Sequence, residues 1–498
     1  MHYNLKILIV SFFLVFHSGF ILAQGYFEST PDIEEAYRLV STLRFDEGKE
    51  KIAKIKRNDP NNKLVYLIEN YIDFFTIFIN EEEIEYKRLE VNKDYRLKQI
   101  KQGNKDSPYY RFAIAEIHLQ WATVRLKFGE RTKPAREVLK AYKLLEKNKT
   151  DFPNFIANKK SLSIIHALCE SLPGWVRTLM GIKGSIELGT DEIDEVVSYA
   201  ADNNFLFTEE SYAIYAYILF FQNNKKKEAY NLLTNADLDH SQSPLICFLK
   251  ANIAHKNGYN EEAKKILEER PSGDAYMPFP YLDFMYGRYK LYSLDADASD
   301  YILNFINDFE GRHFVKEAYQ KLAWYELALN EDISAYKKYM KLCKDKGFKL
   351  VDEDKQALKE SENKEIPNAT LLRARLLFDG GYYSKAYALL VKRSYMFIEA
   401  GADQLEFNYR MGRISHELQN YPDAIEFYSI TINTGIKSKS YMACNSALQI
   451  GLILEEQKKH KQSRRFYKQC LDISPDEYKS SLHQKAKSGI ERVRNLIH

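Results

Sequence analysis

The segment 406–432, EFNYRMGRISHELQNYPDAIEFYSITI, places His416 beside Glu417 among several aromatic rings. A histidine and a glutamate of this kind could serve a zinc protease, whose helix carries a second histidine four residues from the first. None of the eleven histidines has another histidine three or four residues away, and the chain contains no G-x-S-x-G nucleophile motif. The segment therefore indicates helix packing, and it predicts neither catalysis nor a metal site.

The glycines of segment 174–192, GWVRTLMGIKGSIELGTDE, are a second candidate for chemistry. Gly184 and Gly189 have the separation found in phosphate-binding loops. However, Thr190 and Asp191 stand where a lysine and a hydroxyl residue would hold phosphate and metal. We interpret these glycines as points of close helix approach or as helix ends. The sequence thus predicts a protein that is not an enzyme and that has no cofactor.

The five cysteines are widely spaced and form no C-x-x-C pair, so the usual zinc and redox spacings are absent. Each lies among apolar residues in a helical pattern, and the expected role is that of a small buried side chain. A disulfide between Cys444 and Cys470, which would join the two helices of one hairpin, remains an alternative.

Composition favours long helices arranged in more than one compact core. The chain has 498 residues, of which only 21 are glycine and 13 are proline, so tight turns are few. Hydrophobic residues make up 45% and charged residues 28%, which argues against disorder. A chain of this length exceeds what one core usually holds, and several domains or an elongated array are expected.

A spacing recurs along the chain. In most sets a small residue is followed twelve positions later by a second small residue. Two more residues of the set, mostly aromatic or aliphatic, come four positions after that and then three positions later. Two small residues at such an interval suit a helical hairpin, because small side chains let two helix backbones cross closely. The sets are Gly412, Ala424, Tyr428 and Thr431; Gly451, Ser463, Tyr467 and Cys470; Ala374, Ala386, Leu390 and Arg393; Ala323, Ala335, Tyr339 and Leu342; Gly287, Ser299, Leu303 and Ile306; Ala251, Ala263, Leu267 and Arg270; Tyr217, Ala229, Leu233 and Ala236; and Ala36, Gly48, Ile52 and Ile55.

This series resembles the tetratricopeptide repeat (TPR) of exported bacterial proteins, with its best match at 406–475. The resemblance implies an all-α, right-handed superhelical solenoid of TPR-like helical hairpins, and repeats of this family generally bind proteins. The predicted organisation is a signal peptide at 1–23, a first hairpin at 24–63, an irregular long-helix region at 64–205, degenerate repeats at 206–350, a charged spacer with a short exposed helix at 351–366, C-terminal repeats at 367–478 and a capping helix at 479–498.

The first 23 residues have the order of a secretory signal, with a lysine, an apolar run and a small residue before the expected cut. The alternative is an uncleaved membrane anchor. Cys169 is the first cysteine, so a lipoprotein anchor is not expected. We predict an exported protein, periplasmic or associated with the outer membrane, with no integral span after cleavage.

In arrays of the kind this sequence resembles, the residue after the small first-helix residue faces the concave surface. Arginines there would suit a carboxylate or an acidic peptide segment. The alternative is that these arginines pair with acidic neighbours such as Glu406, Asp379 and Glu417. The candidate partner-binding groove consists of Asn252, Arg288, Trp324, Arg375, Tyr409, Arg413, His416 and Asn445.

These patterns predict a non-catalytic scaffold or adaptor that binds another protein through its concave helical surface at the cell envelope. A glycan-binding helical-repeat protein at the outer membrane is the alternative, because tyrosines and tryptophans stack on sugars. Lysines and arginines cluster within 458–465, but an exported location disfavours nucleic acid as the partner. The sequence does not indicate an oligomeric state.

Overall fold

The computed structural model describes residues 24–170, 177, 181–363, 365–398, 401–494 and 496. The expected signal peptide, Gly174 and Trp175 lie outside these residues. In the part of the chain that is described, regular structure is helical apart from two isolated bridges, Gly25 with Gly103 and Tyr26 with Asn62. The all-α fold of TPR-like hairpins is therefore confirmed.

The chain divides into two compact units. The first contains the residues up to Asn257 together with Lys265–Leu282 and Phe309–Arg312. Its helices are α1 (Pro31–Ser41), α2 (Phe45–Asn58), α3 (Val65–Asn80), α4 (Glu83–Ile100), α5 (Pro108–Lys127), α6 (Thr132–Asp151), α7 (Ile156–Cys169), α8 (Ile186–Asp202), α9 (Thr208–Tyr217), α10 (Lys226–Asn235) and α11 (Pro244–Lys256).

The second unit contains Gly258–Lys264, Asp283–Asp308 and the residues from His313 onward. Two helices carry residues of both units, α12 (Asn260–Glu268) and α13 (Pro280–Ser293). The remaining helices are α14 (Ala298–Asp308), α15 (Val315–Tyr325), α16 (Ile333–Asp345), α17 (Asp352–Glu362), α18 (Ala369–Asp379), α19 (Tyr383–Lys392), α20 (Ala402–Glu417), α21 (Tyr421–Gly435), α22 (Met442–Glu456), α23 (His460–Asp472) and α24 (Lys479–Arg494).

The hairpin of α22 and α23 shows why small residues recur. A Cβ atom on Gly451 would lie 2.5 Å from Cε1 of the Tyr467 ring, and a Cβ on Gly489 of α24 would lie 2.5 Å from Cε2. Ser463 Oγ donates to the Gly451 carbonyl at 2.8 Å. The predicted helix crossing at Gly451 and Ser463 is confirmed. The Tyr467 ring lies between α22 and α24, each of which has a glycine at the contact.

Two of the predicted repeat registers are off by one residue because a π turn follows the first helix. In α9 Ala216 is fully buried, whereas the adjacent Tyr217 is 38% exposed; the π turn Ile218–Gln222 follows. After α15 comes the π turn Glu326–Asn330. The residues buried in α16 are accordingly Tyr336, Met340 and Cys343, one position beyond Ala335, Tyr339 and Leu342. A π turn holds one more residue than the α turn it replaces.

The register of α14 is shifted in the opposite direction. A Cβ on Gly287 would meet Ile302 Cγ1 at 2.7 Å and the Ala298 carbonyl oxygen at 2.9 Å. The buried residues of this helix are Ala298, Ile302 and Phe305. The predicted set of Ser299, Leu303 and Ile306 was therefore wrong by one position, since Gly287 packs eleven residues before its partner and not twelve.

The long-helix region 64–205 also folds as hairpins, in which α5 packs on α6 and α7 packs on α8. Gly184 lies against α7, because a Cβ there would be 2.7 Å from His166 Cα. His166 in turn is held by Glu192, with 2.6 Å between Nδ1 and Oε2. These observations agree with close helix approach and with a structural role for this histidine.

A cluster of charged residues is buried in the first unit. Lys160 is 1% exposed, and its Nζ lies 2.8 Å from Glu116 Oε2 and 2.9 Å from Glu210 Oε1. Tyr71 and Tyr37 donate to Glu210 Oε2 at 2.8 and 3.3 Å. Burial opposes the charge of Lys160, but the two glutamates outweigh it and raise its pKa. The apolar interior of this unit thus contains a buried Lys160–Glu116 ion pair, with Glu210 at its more exposed edge.

We expect Gly451→Ala to lower the free energy of unfolding by about 1–3 kcal/mol, because the added methyl group overpacks the Tyr467 ring. The effect opposes the usual helix preference for alanine over glycine. Urea denaturation followed by circular dichroism measures it. The control is Ser480→Ala at an exposed position of α24, where a change within about 0.5 kcal/mol is expected. An unchanged midpoint for the glycine variant would contradict the close contact.

His118 supplies a pH-dependent prediction. Burial first, and then nearby cations such as Lys93, lower its pKa from 6.5 to about 3. Because the folded pKa lies below the unfolded one, the folded state is favoured above pH 6.5 and loses stability as the pH falls below it. Between pH 7 and pH 5 the wild type should lose about 2 kcal/mol more stability than His118→Phe, which cannot take up the proton. Parallel pH slopes for the two proteins would contradict the assignment.

Candidate functional site

The structure divides the eight predicted groove residues between the two units. Asn252 lies on α11 in the first unit, and the other seven belong to the second. Those seven lie on the first helices of successive hairpins: Arg288 on α13, Trp324 on α15, Arg375 on α18, Tyr409, Arg413 and His416 on α20, and Asn445 on α22. The site is therefore described within the second unit.

Trp324 and Arg375 form a stacked pair. The guanidinium carbon of Arg375 lies 4.3 Å from the centroid of the Trp324 ring. The tryptophan is 2% exposed, whereas the arginine side chain is 35% exposed. The arginine forms long ion pairs with Asp379 at 3.9 Å and Glu360 at 4.0 Å, so the expected alternative of pairing with Asp379 is observed, although neither carboxylate is at hydrogen-bond distance. The stacking fixes the guanidinium while its N–H edge retains capacity for a carboxylate.

Glu360 binds beside this pair. The indole N–H of Trp324 donates to its Oε1 at 2.5 Å, and Gln320 Nε2 donates to its Oε2 at 2.7 Å. Both carboxylate oxygens thus accept from α15, and Arg375 adds its positive charge nearby. This part of the groove already holds an acidic side chain.

A second group centres on the hydroxyl of Tyr409. Asn445 Nδ2 donates to it at 2.6 Å, and Arg413 Nη1 donates to it at 3.2 Å. Gln449 Nε2 donates to Asn445 Oδ1 at 3.3 Å. The guanidinium carbon of Arg413 lies 4.6 Å from the Phe378 ring centroid. The hydroxyl therefore ties the guanidinium on α20 to the amide on α22.

Arg413 has no carboxylate within 4.0 Å among the described residues, so the expected alternative of pairing with Glu417 is not observed. Burial opposes its charge, but the Tyr409 and Tyr428 hydroxyls outweigh this and raise its pKa. Glu406 is bound instead by Arg410 on the same helix. Two of the three predicted groove arginines, Arg375 and Arg413, thus stack on an aromatic ring and have no carboxylate at hydrogen-bond distance from their N–H groups.

Arg288 is different because it takes part in a buried charge network. Its Nη1 lies 3.4 Å from Glu317 Oε1, and Lys321 Nζ lies 3.4 Å from the same oxygen. Burial would raise the pKa of Glu317, but Lys321 and Arg288 outweigh burial and lower it. Lys321 Nζ also lies 3.9 Å from the Trp324 ring centroid. This network positions the Trp324 side of the groove.

His416 packs edge-on against two rings, with centroids 5.9 Å from Tyr421 and 6.2 Å from Tyr428. Burial lowers its pKa, so the ring is neutral at physiological pH. Its contacts are those of a packing residue, and it adds no charge to the groove.

Sequence reasoning missed the contribution of α17, which lies in the predicted charged spacer. The predicted short helix is present, but Asp354 and Ala357 are fully buried. Asp354 accepts from the backbone N–H groups of Phe314 at 2.7 Å and of Glu317 at 3.1 Å. Burial raises the pKa of Asp354 to about 6. The one sequence signal was the apolar pair Ala357 and Leu358 within a charged run.

Within the described residues, no group of three or more His, Cys, Asp or Glu side chains is arranged to hold a metal ion. No described helix has the length and apolar character needed to cross a membrane. All five cysteines are free and buried, as predicted. The sulfur atoms of Cys444 and Cys470 lie 3.5 Å apart without a disulfide.

No family model and no curated protein matches this sequence. Solved structures do match. "Human IFIT1 dimer with m7Gppp-AAAA" is 14% identical over 94% of this chain and 96% of that one, with a TM-score of 0.31. "Structure of Naa15/Naa10 bound to HypK-THB" is 12% identical over 94% of this chain and 80% of that one, with a TM-score of 0.22. At these TM-scores the two matches establish neither a partner nor a function for this chain.

We expect Glu317→Gln to destabilise the protein by about 3–5 kcal/mol, because it leaves two buried cations without their carboxylate. Glu406→Gln is the matched control. It also removes a carboxylate that pairs with a cation four residues later, but this pair is more exposed, so the cost should be about 1 kcal/mol or less. Thermal or urea unfolding compares them. Equal effects would contradict the structural role of Glu317.

Proposed function

We propose that this protein is a non-catalytic helical-repeat scaffold that binds an acidic segment of another protein along one row of the second unit. The binding row is defined as Trp324, Arg375, Tyr409, Arg413 and Asn445. The observation that supports it is that Arg375 and Arg413, on neighbouring hairpins, are each held against an aromatic ring without a carboxylate at hydrogen-bond distance.

The chemistry of the binding row favours carboxylates. A guanidinium presents a planar set of N–H donors that matches a carboxylate in two parallel hydrogen bonds. Because Arg375 and Arg413 are already oriented by Trp324 and Phe378, binding would order little additional side-chain freedom. The buried amide of Asn445 holds the Tyr409 hydroxyl, which accepts from Arg413 and so helps to position its guanidinium.

Export is part of the proposal and is supported by the order of charged, apolar and small residues in the first 23 positions. The partner would then be a protein of the periplasm or the outer membrane. Release of the mature protein from cells by osmotic shock tests this location directly. Retention of the full-length precursor in the cytosol would reject it.

The alternative of glycan binding depended on accessible aromatic faces. Trp121 and Trp324 are each 2% exposed. Their indole N–H groups already donate, to Asn70 at 3.2 Å and to Glu360 at 2.5 Å respectively. Neither of these two rings presents a free face on which a sugar could stack, so the tryptophan part of the glycan alternative has no support from Trp121 or Trp324.

The double reversal Arg375→Glu and Arg413→Glu should reduce partner capture from gently solubilised envelope by at least about tenfold. The reason is that two guanidinium groups are replaced by carboxylates, which repel an acidic partner segment. Tagged protein is used as bait, and bound proteins are quantified by mass spectrometry. The milder pair Arg375→Gln and Arg413→Gln should give a smaller loss.

The matched control is Lys461→Glu with Arg465→Glu, which makes the same change of net charge on exposed positions of α23. It should retain capture. Circular dichroism and thermal melting establish that all variants are folded. Equal capture by the groove variants and the wild type would reject the binding row as the site.

A further inference from the structure

Helix α17 of this protein itself lies against Trp324 and Arg375, the first two residues of the binding row. Glu360 accepts from Trp324 at 2.5 Å and from Gln320 at 2.7 Å, and it lies 4.0 Å from Arg375. Next to Glu360, at the same end of the helix, Lys359 Nζ lies 2.5 Å from Glu477 Oε1. The row that suits an acidic segment is thus partly covered by an acidic segment of this protein.

The contact of α17 with the rest of the unit is mainly polar. Of its eleven residues, DEDKQALKESE, only Asp354 and Ala357 are buried. An alanine buries little apolar area, and each buried methyl or methylene group contributes only about 0.8 kcal/mol. Asp354 is bound through two backbone N–H groups at the start of α15. The helix is therefore attached mainly by carboxylate contacts, and its apolar burial is limited to Ala357 and the half-buried Leu358.

We propose that α17 is an internal copy of the ligand, and that the partner is a helical segment carrying two carboxylates six residues apart with a small residue midway. This inference rests on the proposed function, since it names the partner class of the same row. Asp354, Ala357 and Glu360 follow one another at three-residue steps on one helix face. Six residues span about 9 Å along a helix axis. A partner with this D-x-x-A-x-x-E pattern would take the place of α17.

The test uses the peptide LVDEDKQALKESEN, residues 350–363, with a fluorescent label. The host is the full chain carrying Asp354→Asn and Glu360→Gln, which weakens attachment of its own α17. Fluorescence anisotropy should show the peptide binding this host at least about tenfold more tightly than it binds the wild type. Arg375→Gln added to the host should remove most of that binding.

The control peptide carries the Asp354→Asn and Glu360→Gln changes itself and should bind the host at least about tenfold more weakly. Equal binding of the labelled peptide to host and wild type, or no binding to the host, would overturn the inference. Equal binding of the two peptides would also overturn it, because the carboxylates would then not be recognised.

Amide hydrogen exchange on the wild-type protein is a second test, which does not depend on the stability of the host variant. Amides of α17 should exchange at least about a hundredfold faster than those of α15, because a detachable helix opens without unfolding its neighbours. Exchange of both helices at the same rate would show that α17 is an integral part of the unit, and the inference would be wrong.

The two proposals fail separately. If the arginine reversals abolish partner capture but the peptide does not bind, the binding row stands and the internal-ligand inference falls. If the peptide binds the host through Arg375 but capture is unchanged in the reversal variants, then the groove does bind the α17 sequence. In that case the binding row is not the site at which the protein partner is captured.

Discussion

The contact of an aromatic ring with a helix position that has no side chain sets the helix spacing in the C-terminal hairpins. Tyr467 touches Gly451 on one edge and Gly489 on the other, so three helices share one ring. Tyr428 of α21 makes the same kind of contact with Gly412 of α20, and the C-terminal part of the binding row lies on helices packed in this way. Asn445 on α22 reaches Tyr409 on α20 at 2.6 Å, a distance that a wider separation of the helices would break.

Much of the fold could be predicted because hairpin packing is local in sequence. The offsets from Gly412 and Gly451 were right, since a small residue and a ring within one hairpin decide them. The offsets from Tyr217, Ala323 and Gly287 were wrong by one residue. A π turn or a shorter connection changes how many residues fit between two contacts, and no residue type in these segments marks that change.

The candidate site was less predictable, because helical phase indicates which face a residue occupies but not what it touches. Arg375 and Arg413 were found from phase alone, and the structure places both beside rings on neighbouring or earlier helices. Arg288 follows the same phase and is nevertheless engaged by Glu317. Glu360 lies outside the repeat pattern, in a segment whose contacts with Trp324 and Gln320 are long-range and leave no period to detect.

The buried cluster around Lys160 gives the first unit a different character. Tyr37 directly follows the small residue Ala36, and Arg375 and Arg413 of the binding row likewise follow a small residue of the first helix. The hydroxyl of Tyr37, however, donates to Glu210. Lys160 and Glu116 form a buried pair, and Glu210, whose side chain is 30% exposed, adds a second carboxylate at the edge of the cluster. The same hairpin position therefore has two uses in a single chain. Tyr37 and Arg288 are engaged by glutamates there, whereas Arg375 and Arg413 stack on aromatic rings with no carboxylate at hydrogen-bond distance.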